Sequence, residues 1–442
     1  MSGFGLILAA PKSGSGKTLI TAGLLRVLQN RGIKVAGAKA GPDYIDPTFH
    51  ALASGTAGCN LDPWAMRLAT LAGLVGELEG GADIVVCEGV MGLFDGAGPD
   101  GEAGSTAALA RFTGWPVVLV VDCGGQGASI AALVAGFSRH DSEVPLAGII
   151  LNRVASPRHR ALLVEAILRH LPDLPVLGAV TQDNALTIAG RHLGLVPAAE
   201  DEAAIEALIT GAAARIAADF DVDRLLTLAR PSRCEAATET LGIQPLGQRI
   251  AIARDDAFLF TYEAVLSGWR RQGAEISLFS PLVGETPGRG ADAIYLPGGY
   301  PELHAGKLAA AELFLAGLRE AAAAGKTIYG ECGGYMVLGE ALIDAAGETH
   351  RMAGLLPLVT SFAAPQRHLG YRVAALLGSG PLGEAGVRFR GHEFHYASIV
   401  REGDADRLFA VAEASDNDLG QAGLRRGSVA GSFIHLIDRE TD

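Results

Sequence analysis

The sequence predicts an α/β protein of two domains, each built on a sheet of mostly parallel strands. In residues 1–228, short apolar runs alternate with stretches of helical period, as expected for a doubly wound sheet covered by helices on both faces. A polar stretch with two prolines follows at 229–247, and the alternation resumes in residues 248–442. We therefore expect an N-terminal domain, a linker and a C-terminal domain with these boundaries.

The individual strands and helices are short, and most strands are rich in β-branched residues. In the first domain the predicted strands are Phe4–Ala10, Lys34–Ala40, Ile84–Cys87, Val117–Asp122, Gly148–Leu151 and Val176–Val180, and the predicted helices include Leu19–Gln29, Ser129–Phe137, Arg160–His170 and Glu200–Ala218. In the second domain the predicted strands are Arg249–Ala253, Glu275–Phe279, Ala293–Leu296 and Thr327–Tyr329, with a helix at Ala309–Ala324. After Met352 the strands follow each other closely, which predicts a more antiparallel end.

Composition excludes several classes of protein. The chain has 442 residues, is 49% hydrophobic and carries a formal net charge of -13, so we expect a globular protein without a nucleic-acid partner. The five scattered cysteines form no C-x-x-C pair, which argues against disulfides and zinc and for a reducing compartment. No apolar run approaches the ~20 residues that span a bilayer, and the first run lacks a basic leader. We expect a cytoplasmic protein without membrane partners.

A phosphate loop follows the first predicted strand. The segment APKSGSGKT (10–18) ends as a Walker A loop does, although Pro11 replaces the usual first glycine. Backbone N–H groups, the helix N-terminus and the lysine would hold the phosphates of ATP, and the threonine would bind Mg²⁺. The residues expected to contact ATP are Lys12, Ser13, Gly14, Ser15, Gly16, Lys17 and Thr18.

Carboxylates follow two other strands, where ligands of open α/β sheets bind. Asp43 and Glu88 are, with Thr18, the candidate ligands of the Mg²⁺ that accompanies ATP. Asp46 and Asp95 are candidates for orienting the substrate or stabilising developing charge. Tyr44 and Asp46 are expected to contact the substrate.

Two further strand ends allow two interpretations each. Asp122 either acts as a Walker B acid or caps the helix after Gly127. Asn152, followed by Arg153, either reads the adenine of ATP or is a structural polar pair at a strand end.

A nucleophile elbow stands in the second domain. Cys332 lies between glycines, in GECGG, after a β-rich strand and before a helical segment, as in the cysteine version of the G-x-S-x-G turn. We expect the helix N-terminus to lower the pKa of this thiol. The backbone amides of Gly299, in YLPGGY, and of Gly333 are the predicted oxyanion hole.

The general base should be a distant histidine. His435, which follows another β-rich run, is the preferred candidate, and His392 and His395 are rivals. The latter two suggest a metal site less than a structural or substrate contact, because no third ligand lies at a suitable spacing.

The chain resembles a known family in six segments that occur in the right order over essentially its whole length. These are APKSGSGKT, KAGPDYIDPTFH, EGVMGLFDG, RHLGLVPA (191–198), YLPGGYPEL and GECGGYMVLG. They are similar to the a,c-diamide synthases of cobalamin biosynthesis, which act on cobyrinic or hydrogenobyrinic acid. The related cobyric acid synthases have a different segment after the second strand.

The resemblance implies a dethiobiotin-synthetase-like domain joined to a triad-type glutamine amidotransferase domain. Cys332 would match the nucleophile and His435 the histidine, whereas the glutamate that class I enzymes carry two residues later is Ile437 here. The resemblance therefore implies a Cys-His dyad whose orienting group is unknown.

The implied substrates are ATP, L-glutamine and a corrinoid polycarboxylate. Ammonia released from glutamine would attack acyl phosphates, first on the c and then on the a acetate. Whether the ring already holds cobalt stays open, and a homodimer is considered although nothing in the sequence sets the oligomeric state. The alternatives are a related tetrapyrrole substrate, as in cobyric acid or nickel-sirohydrochlorin amidation, and a MinD-like ATPase switch.

Overall fold

Residues 3–98, 101–182, 190–191, 194–195, 202–235 and 242–440 are described in the computed structural model of the chain. The chain divides into two compact units, one of residues 1–64 and 68–240 and the other of residues 65–67 and 241–442. Each unit is centred on its own sheet. The predicted α/β class is confirmed.

The first unit alternates strands and helices along the chain. Its elements are β1 (Phe4–Ala9), α1 (Lys17–Asn30), β2 (Val35–Ala40), α2 (Asp46–Ser54), β3 (Cys59–Leu61), α3 (Leu68–Gly81), β4 (Ile84–Glu88), α4 (Thr106–Thr113), β5 (Val117–Asp122), α5 (Ile130–His140), β6 (Leu146–Val154), α6 (Pro157–His170), β7 (Val176–Thr181), β8 (Gly190–Arg191), β9 (Gly194–Leu195), α7 (Glu202–Asp219) and α8 (Val222–Leu228).

A seven-stranded parallel sheet forms the core of this unit, in the order β3-β2-β4-β1-β5-β6-β7. Apart from the exposed Phe4, the apolar runs of β1 and β5 are buried, as expected where helices cover both faces. All strands point the same way, so the loops after β1, β2 and β4 meet at one edge. That edge carries the predicted phosphate loop and acids.

The predicted strands of this unit are confirmed to within two or three residues, whereas the strands β3, β8 and β9 and the helices α2, α3, α4 and α8 were not predicted. The predicted start of the helix at Glu200 lies outside the described residues, as does most of the RHLGLVPA segment. The first part of the predicted linker is not free: Arg230 and Gly5 exchange backbone hydrogen bonds, and Arg233 N donates to Thr113 O. These residues extend the first unit because Arg230 pairs with β1 and Arg233 with the end of α4.

The second unit is richer in strands. Its elements are β10 (Arg249–Ala253), α9 (Glu263–Arg271), β11 (Glu275–Phe279), β12 (Ala293–Leu296), α10 (Ala305–Ala310), α11 (Glu312–Ala323), β13 (Thr327–Glu331), α12 (Gly333–Leu338), β14 (Ala341–Ile343), β15 (Thr349–Arg351), β16 (Leu358–Ser361), β17 (His368–Leu376), β18 (Arg388–His395), β19 (Ser398–Glu402), β20 (Asp406–Glu413), β21 (Asp418–Arg426), β22 (Val429–Ser432) and β23 (Ile434–Arg439).

The main sheet of this unit has ten strands in the order β11-β10-β12-β13-β22-β21-β20-β17-β18-β23. The first five are parallel, and the rest pair antiparallel, which confirms the predicted change after Met352. A separate four-stranded sheet runs β15-β14-β16-β19. Apolar clusters lie on both faces of the parallel half, one against α10 to α12 and one against α9.

One predicted element is wrong in detail. The single helix expected at Ala309–Ala324 is two helices, α10 and α11, because Ala311 between them leaves the helical region at φ -78° and ψ 63°. Alanine favours helix, so composition alone gives no sign of this break. Within the described residues, no helix is both long and apolar enough to cross a membrane.

Candidate active sites

The phosphate loop of the first unit has the backbone that its glycines allow. Gly14 and Gly16 adopt φ of 75° and 89°, and α1 begins directly afterwards at Lys17. The N–H groups of the first helical turn therefore point into the loop, where an anion would be held. The Asn152 side chain donates to Ser15 O at 2.8 Å, so it fastens the loop to β6. This contact supports the structural interpretation of Asn152 more directly than adenine recognition.

The loop opens on a cavity of about 610 Å³. It is lined by the loops after β1, β2 and β4 together with residues of β6, β7 and α7. The predicted site residues among those lining it are Ser13, Gly14, Gly16, Lys17, Thr18, Asp43, Asp46, Glu88 and Asn152. Tyr44 is half-buried between Asp43 and Ile45, which both line the cavity. The structure thus brings most of the predicted nucleotide site together.

A buried lysine that the sequence analysis did not single out lies at the centre of this site. Lys39, near the end of β2, forms ion pairs with Asp46 and with Glu88, the latter at 3.1 Å, and donates to Gly89 O. His50 Nε2 contacts the other Glu88 oxygen at 2.8 Å. The available signal was a lysine inside an otherwise small and apolar strand, VAGAKA. A charge is placed there only when it is paired.

These contacts shift the acidities of the cluster. Burial would lower the pKa of Lys39, but Asp46 and Glu88 together raise it above its ordinary value. Burial, and after it Asp43 and Glu88, raises the pKa of Asp46, while Lys39 opposes that change. Burial also opposes ionisation of Glu88, yet Lys39 and His50 hold its pKa below the usual range. The single ammonium of Lys39 thus interacts with both carboxyl groups.

Lys17 is partly desolvated in the same cavity. Burial, and after it the neighbouring Lys39, lowers the pKa of Lys17 to about 8. Its Nζ donates to Met91 O at 2.6 Å. Lys12, in contrast, is exposed and lies 4.0 Å from Asp122. Lys17 is therefore the loop lysine that faces the cavity.

The oxygen atoms near Thr18 fit Mg²⁺. Thr18 Oγ1 donates to Glu88 Oε1 at 2.7 Å and lies 3.4 Å from Asp46 Oδ1. The Asp43 carboxylate accepts from the amides of Ile45 and Asp46 through one oxygen, which leaves the other oxygen for a ligand. A hydroxyl and carboxylates are the donors that Mg²⁺ takes beside phosphates. Thr18, Asp43 and Glu88 stay the predicted ligands, and Asp46 joins them geometrically.

The two other acids have local roles. Asp95 is exposed and accepts from Gly92 N at 2.9 Å, so it forms a turn, although its charge also acts on Lys17. Asp122 accepts from Arg153 Nη1 at 2.6 Å and from Gly124 N at 3.0 Å. A role for Asp95 in orienting substrate stays a prediction that these contacts do not support.

The second unit contains the elbow. Cys332 adopts φ 48° and ψ -105°, between the end of β13 and the start of α12. Such a conformation is strained for a residue with a side chain and is typical of nucleophiles held above a sheet. A Cβ on Gly330 would lie 2.7 Å from the Gly334 carbonyl carbon, and one on Gly334 would overlap the Leu296 carbonyl. The flanking glycines are therefore required by close backbone packing.

His435 reaches the elbow from β23. A Cβ on Gly298 would overlap its imidazole, lying 3.0 Å from Nε2, and would lie 3.2 Å from the Cβ of Cys332. The base candidate and the nucleophile thus both border the space beside one glycine. β23 can bring the histidine here because it follows β22, the neighbour of β13, after a bend at Phe433.

The rival histidines have other partners. His392 lies opposite His435 on β18, and burial lowers its pKa to about 3, with the charge of His435 next in effect. His395 contacts Ala397 O and Glu393, and stacks between His368 and Phe433. The strand pairing also brings His368 to His395 and Glu393, a three-residue group that sequence spacing did not reveal. Arg372 already pairs with that glutamate at 2.7 Å.

The predicted oxyanion donors are neighbours. A Cβ on Gly333 would lie 3.1 Å from the Gly299 nitrogen, and the Gly333 N–H interacts with the Cys332 thiol. The expectation of a lowered thiol pKa is wrong, however. Burial raises the pKa of Cys332 above its ordinary value, Glu302 raises it further, and the Gly333 N–H only partly opposes them. Cys332 is 2% exposed, and its thiol therefore depends on a base for its ionisation.

Family models match both units. Residues 6–196 match the CobQ/CobB/MinD/ParA nucleotide binding domain, and residues 249–441 match the CobB/CobQ-like glutamine amidotransferase domain. The fold and its two sites thus define a nucleotide-binding domain fused to an amidotransferase domain.

Relatives match nearly the full chain. Hydrogenobyrinate a,c-diamide synthases from Brucella anthropi and from a Sinorhizobium species are 57% and 53% identical, each over 98% of both chains. The enzyme of that name from Mesorhizobium japonicum is 50% identical over 99% of both chains. The chain belongs to the hydrogenobyrinate a,c-diamide synthase family, which confirms the resemblance inferred from the motifs.

Proposed function

We propose that this protein converts the a and c acetate carboxylates of hydrogenobyrinic acid to amides, with ATP as the activating nucleotide and glutamine as the nitrogen donor. The observation that carries the proposal is the presence of a phosphate loop and a cysteine–histidine elbow in one chain that matches the named synthases from end to end. The names of these relatives favour the metal-free corrinoid over cobyrinic acid.

The first unit would activate the carboxylate. An oxygen of the acetate attacks the γ-phosphorus of ATP, the bond to the β-phosphate oxygen breaks, and an acyl phosphate and ADP form. Lys17 and Lys39 lie where they neutralise charge that moves between the phosphates and the acyl group. A Mg²⁺ ion held by Thr18, Glu88 and the neighbouring aspartates would neutralise the triphosphate further. Ammonia then attacks the acyl carbon, and phosphate leaves.

The second unit would supply the ammonia. Cys332 attacks the side-chain amide of glutamine to form a thioester, and His435 carries the proton from the thiol to the departing nitrogen. The amides of Gly299 and Gly333 would bind the oxyanion. Water then releases glutamate from the thioester.

Assays with glutamine and with ammonium salts as alternative nitrogen sources test whether the second unit supplies ammonia and the first unit uses it. Cys332→Ala should abolish amidation with glutamine but retain amidation with ammonium salts, because only the release of ammonia from glutamine needs the thiol. Cys234→Ala, which removes a half-buried thiol bonded to Phe112 O, is the matched control and should keep both activities. Loss of the ammonium-dependent reaction in Cys332→Ala would contradict the proposal.

Mass spectrometry of the products identifies the substrate. We expect two successive gains of one amide on hydrogenobyrinic acid and slower turnover of cobyrinic acid. Equal or faster amidation of the cobalt-containing ring would overturn the choice of the metal-free substrate. A homodimer stays a prediction, which light scattering of the purified protein checks.

A further inference from the structure

The histidine of the elbow lacks the acid that usually follows it. In class I amidotransferases a glutamate two residues after the histidine orients the imidazole, and the corresponding Ile437 is apolar and 4% exposed. A histidine that accepts a thiol proton becomes an imidazolium, which a nearby carboxylate stabilises. His435 therefore needs an acid from another part of the chain.

Glu331 lies in the position to serve. It immediately precedes the nucleophile, at the end of β13, and its side chain is 5% exposed. One oxygen, Oε2, lies 3.7 Å from His435 Nδ1 and accepts a hydrogen bond from Tyr295 OH at 2.7 Å. The other, Oε1, accepts from Leu436 N at 3.1 Å. The carboxylate thus faces the imidazole and also holds the strand that carries it.

The two imidazole nitrogens face different groups. Nδ1 lies toward Glu331, whereas Nε2 lies 3.0 Å from a Cβ placed on Gly298, a position that is also 3.2 Å from the Cβ of Cys332. This order, acid to Nδ1 and nucleophile beside Nε2, is the order found in Ser-His-Asp triads. At 3.7 Å the contact is an ion-pair distance and not a hydrogen bond, and catalytic contacts of this kind often shorten when substrate binds.

We propose that Glu331 is the positioning residue that completes a Glu-His-Cys triad, its acid coming from the residue before the nucleophile. The proposal rests on the glutamine-hydrolysing function proposed above. The proton of the Cys332 thiol passes to Nε2 while the sulfur bonds to the amide carbon. The same proton then leaves with the nitrogen as the C–N bond breaks, and a water molecule cleaves the C–S bond. The charge of Glu331 stabilises the imidazolium in both proton transfers and does not change its own protonation.

The charges around the thiol make the role of Glu331 measurable. Glu302, Glu393 and Glu331 all act on Cys332 and raise its pKa by simple repulsion, with Glu302 the strongest of the three. His435 is faced in turn by Glu331 and by His392 on β18. Removing a carboxylate that acts only by repulsion should make the thiol easier to ionise. Removing one that stabilises the imidazolium should make it harder.

The test is the pH dependence of alkylation of Cys332 by iodoacetamide in the full-length protein, followed on its own peptide by mass spectrometry. For Glu331→Gln we expect the midpoint of alkylation to move to higher pH by about one unit or more, since a lost partner charge at this range has that effect. For the control Glu302→Gln we expect a movement to lower pH. If Glu331→Gln moved the midpoint down or left it unchanged, the proposal would be wrong.

Kinetics separate this proposal from the function on which it rests. Glu331→Gln should lower kcat for glutamine hydrolysis by roughly 100-fold or more, with KM for glutamine changed little and ammonium-dependent amidation retained. Glu331→Asp keeps the negative charge but places it farther from His435. Its kcat for glutamine hydrolysis and its pH midpoint of Cys332 alkylation should therefore lie between those of the wild type and Glu331→Gln. Unaltered hydrolysis in both variants would overturn the role of Glu331, whereas loss of ammonium-dependent amidation in Cys332→Ala would overturn the proposed function instead.

Discussion

The first unit contains a cluster of buried charged residues around Lys39. Lys39 is enclosed with Asp46 and Glu88, and each carboxylate also contacts the hydroxyl of Thr18. Two acids that share one ammonium are stable together, but each is costly alone in a dry interior. The cluster therefore fixes the end of β2 beside the phosphate loop before any nucleotide binds.

Lys39→Met should strongly destabilise the first unit. The substitution leaves two buried carboxylates without their cation, so we expect the free energy of unfolding of that unit to fall by roughly 3 kcal/mol. Urea denaturation followed by circular dichroism measures it. The double variant Lys39→Met/Asp46→Asn should recover part of the loss, and failure to recover would show that the charges are not the cause.

His392 should make the second unit sensitive to acid. Burial, with His435 next, lowers its pKa to about 3 from an ordinary value of 6.5. Between these values the unfolded chain binds a proton that the folded chain excludes, so stability falls as pH falls through this window. His392→Phe should remove up to about 2 kcal/mol of the loss between pH 7.5 and pH 5. Urea denaturation at the two pH values measures this, and an equal loss of stability in His392→Phe and in the wild type would contradict the prediction.

At the residue scale, the sequence predicts which side chains take part in the chemistry better than it predicts their burial and their partners. The phosphate loop, Cys332 and His435 are recognisable because glycine spacing marks them. Lys39 and Glu331 are not, since their roles come from partners that only the fold brings to them: Asp46 and Glu88 for the first, Leu436 and His435 for the second. The thiol pKa was predicted in the wrong direction for the same reason, because burial is a property of the fold.

At the scale of elements, the junction of β13 and α12 is the most constrained part of the second unit. Gly334 packs against the Leu296 carbonyl so closely that no side chain fits. Gly334→Ala should lower the free energy of unfolding by about 2 kcal/mol and reduce glutamine hydrolysis, because the turn beneath Cys332 must shift. Thermal unfolding and a glutaminase assay measure the two effects.

Gly268 in α9 is the matched control for that substitution. Nothing lies within 4 Å of a Cβ placed on it. Gly268→Ala should therefore stabilise the helix by about 0.5–1 kcal/mol and leave hydrolysis unchanged. If the two alanine variants behaved alike, close packing would not be what requires glycine at the elbow.

Strands were easier to predict than the breaks between helices. A buried parallel strand is a continuous apolar run with sharp ends, so β1, β5, β10 and β12 could be placed to within a residue or so. The division between α10 and α11 has no such signal, because Ala311 lies in an alanine-rich stretch. The pairing order of β17 to β23 was likewise not predictable, since antiparallel neighbours here are not always consecutive in sequence.

At the scale of the whole molecule, the chain divides into two compact units, and each site is built from residues of one of them. Ligands for one unit should therefore stabilise that unit alone. A non-hydrolysable ATP analogue with Mg²⁺ at about 100 times its Kd should add roughly 2.7 kcal/mol to the first unit, and so raise its melting temperature by about 5–10 °C. Differential scanning calorimetry measures this shift.

Lys17→Ala is the control for the calorimetric experiment. It removes the loop lysine that faces the cavity, so the analogue should no longer move the first transition. The transition of the second unit should stay in place in both proteins. Equal shifts of both transitions would show that the two units unfold as one cooperative body.

The hydrogen bond between Lys17 and Met91 links the nucleotide pocket to the loop after β4. The Met91 carbonyl accepts a hydrogen bond from the Lys17 ammonium. The Met91 backbone has a φ of 43°, which non-glycine residues rarely adopt. When phosphate oxygens replace that carbonyl as the partner of the ammonium, the loop after β4 loses the bond that helps to hold it in this conformation. The peptide at 91 should then return to an ordinary conformation, so that filling and emptying of the nucleotide pocket would be signalled by the backbone next to Glu88.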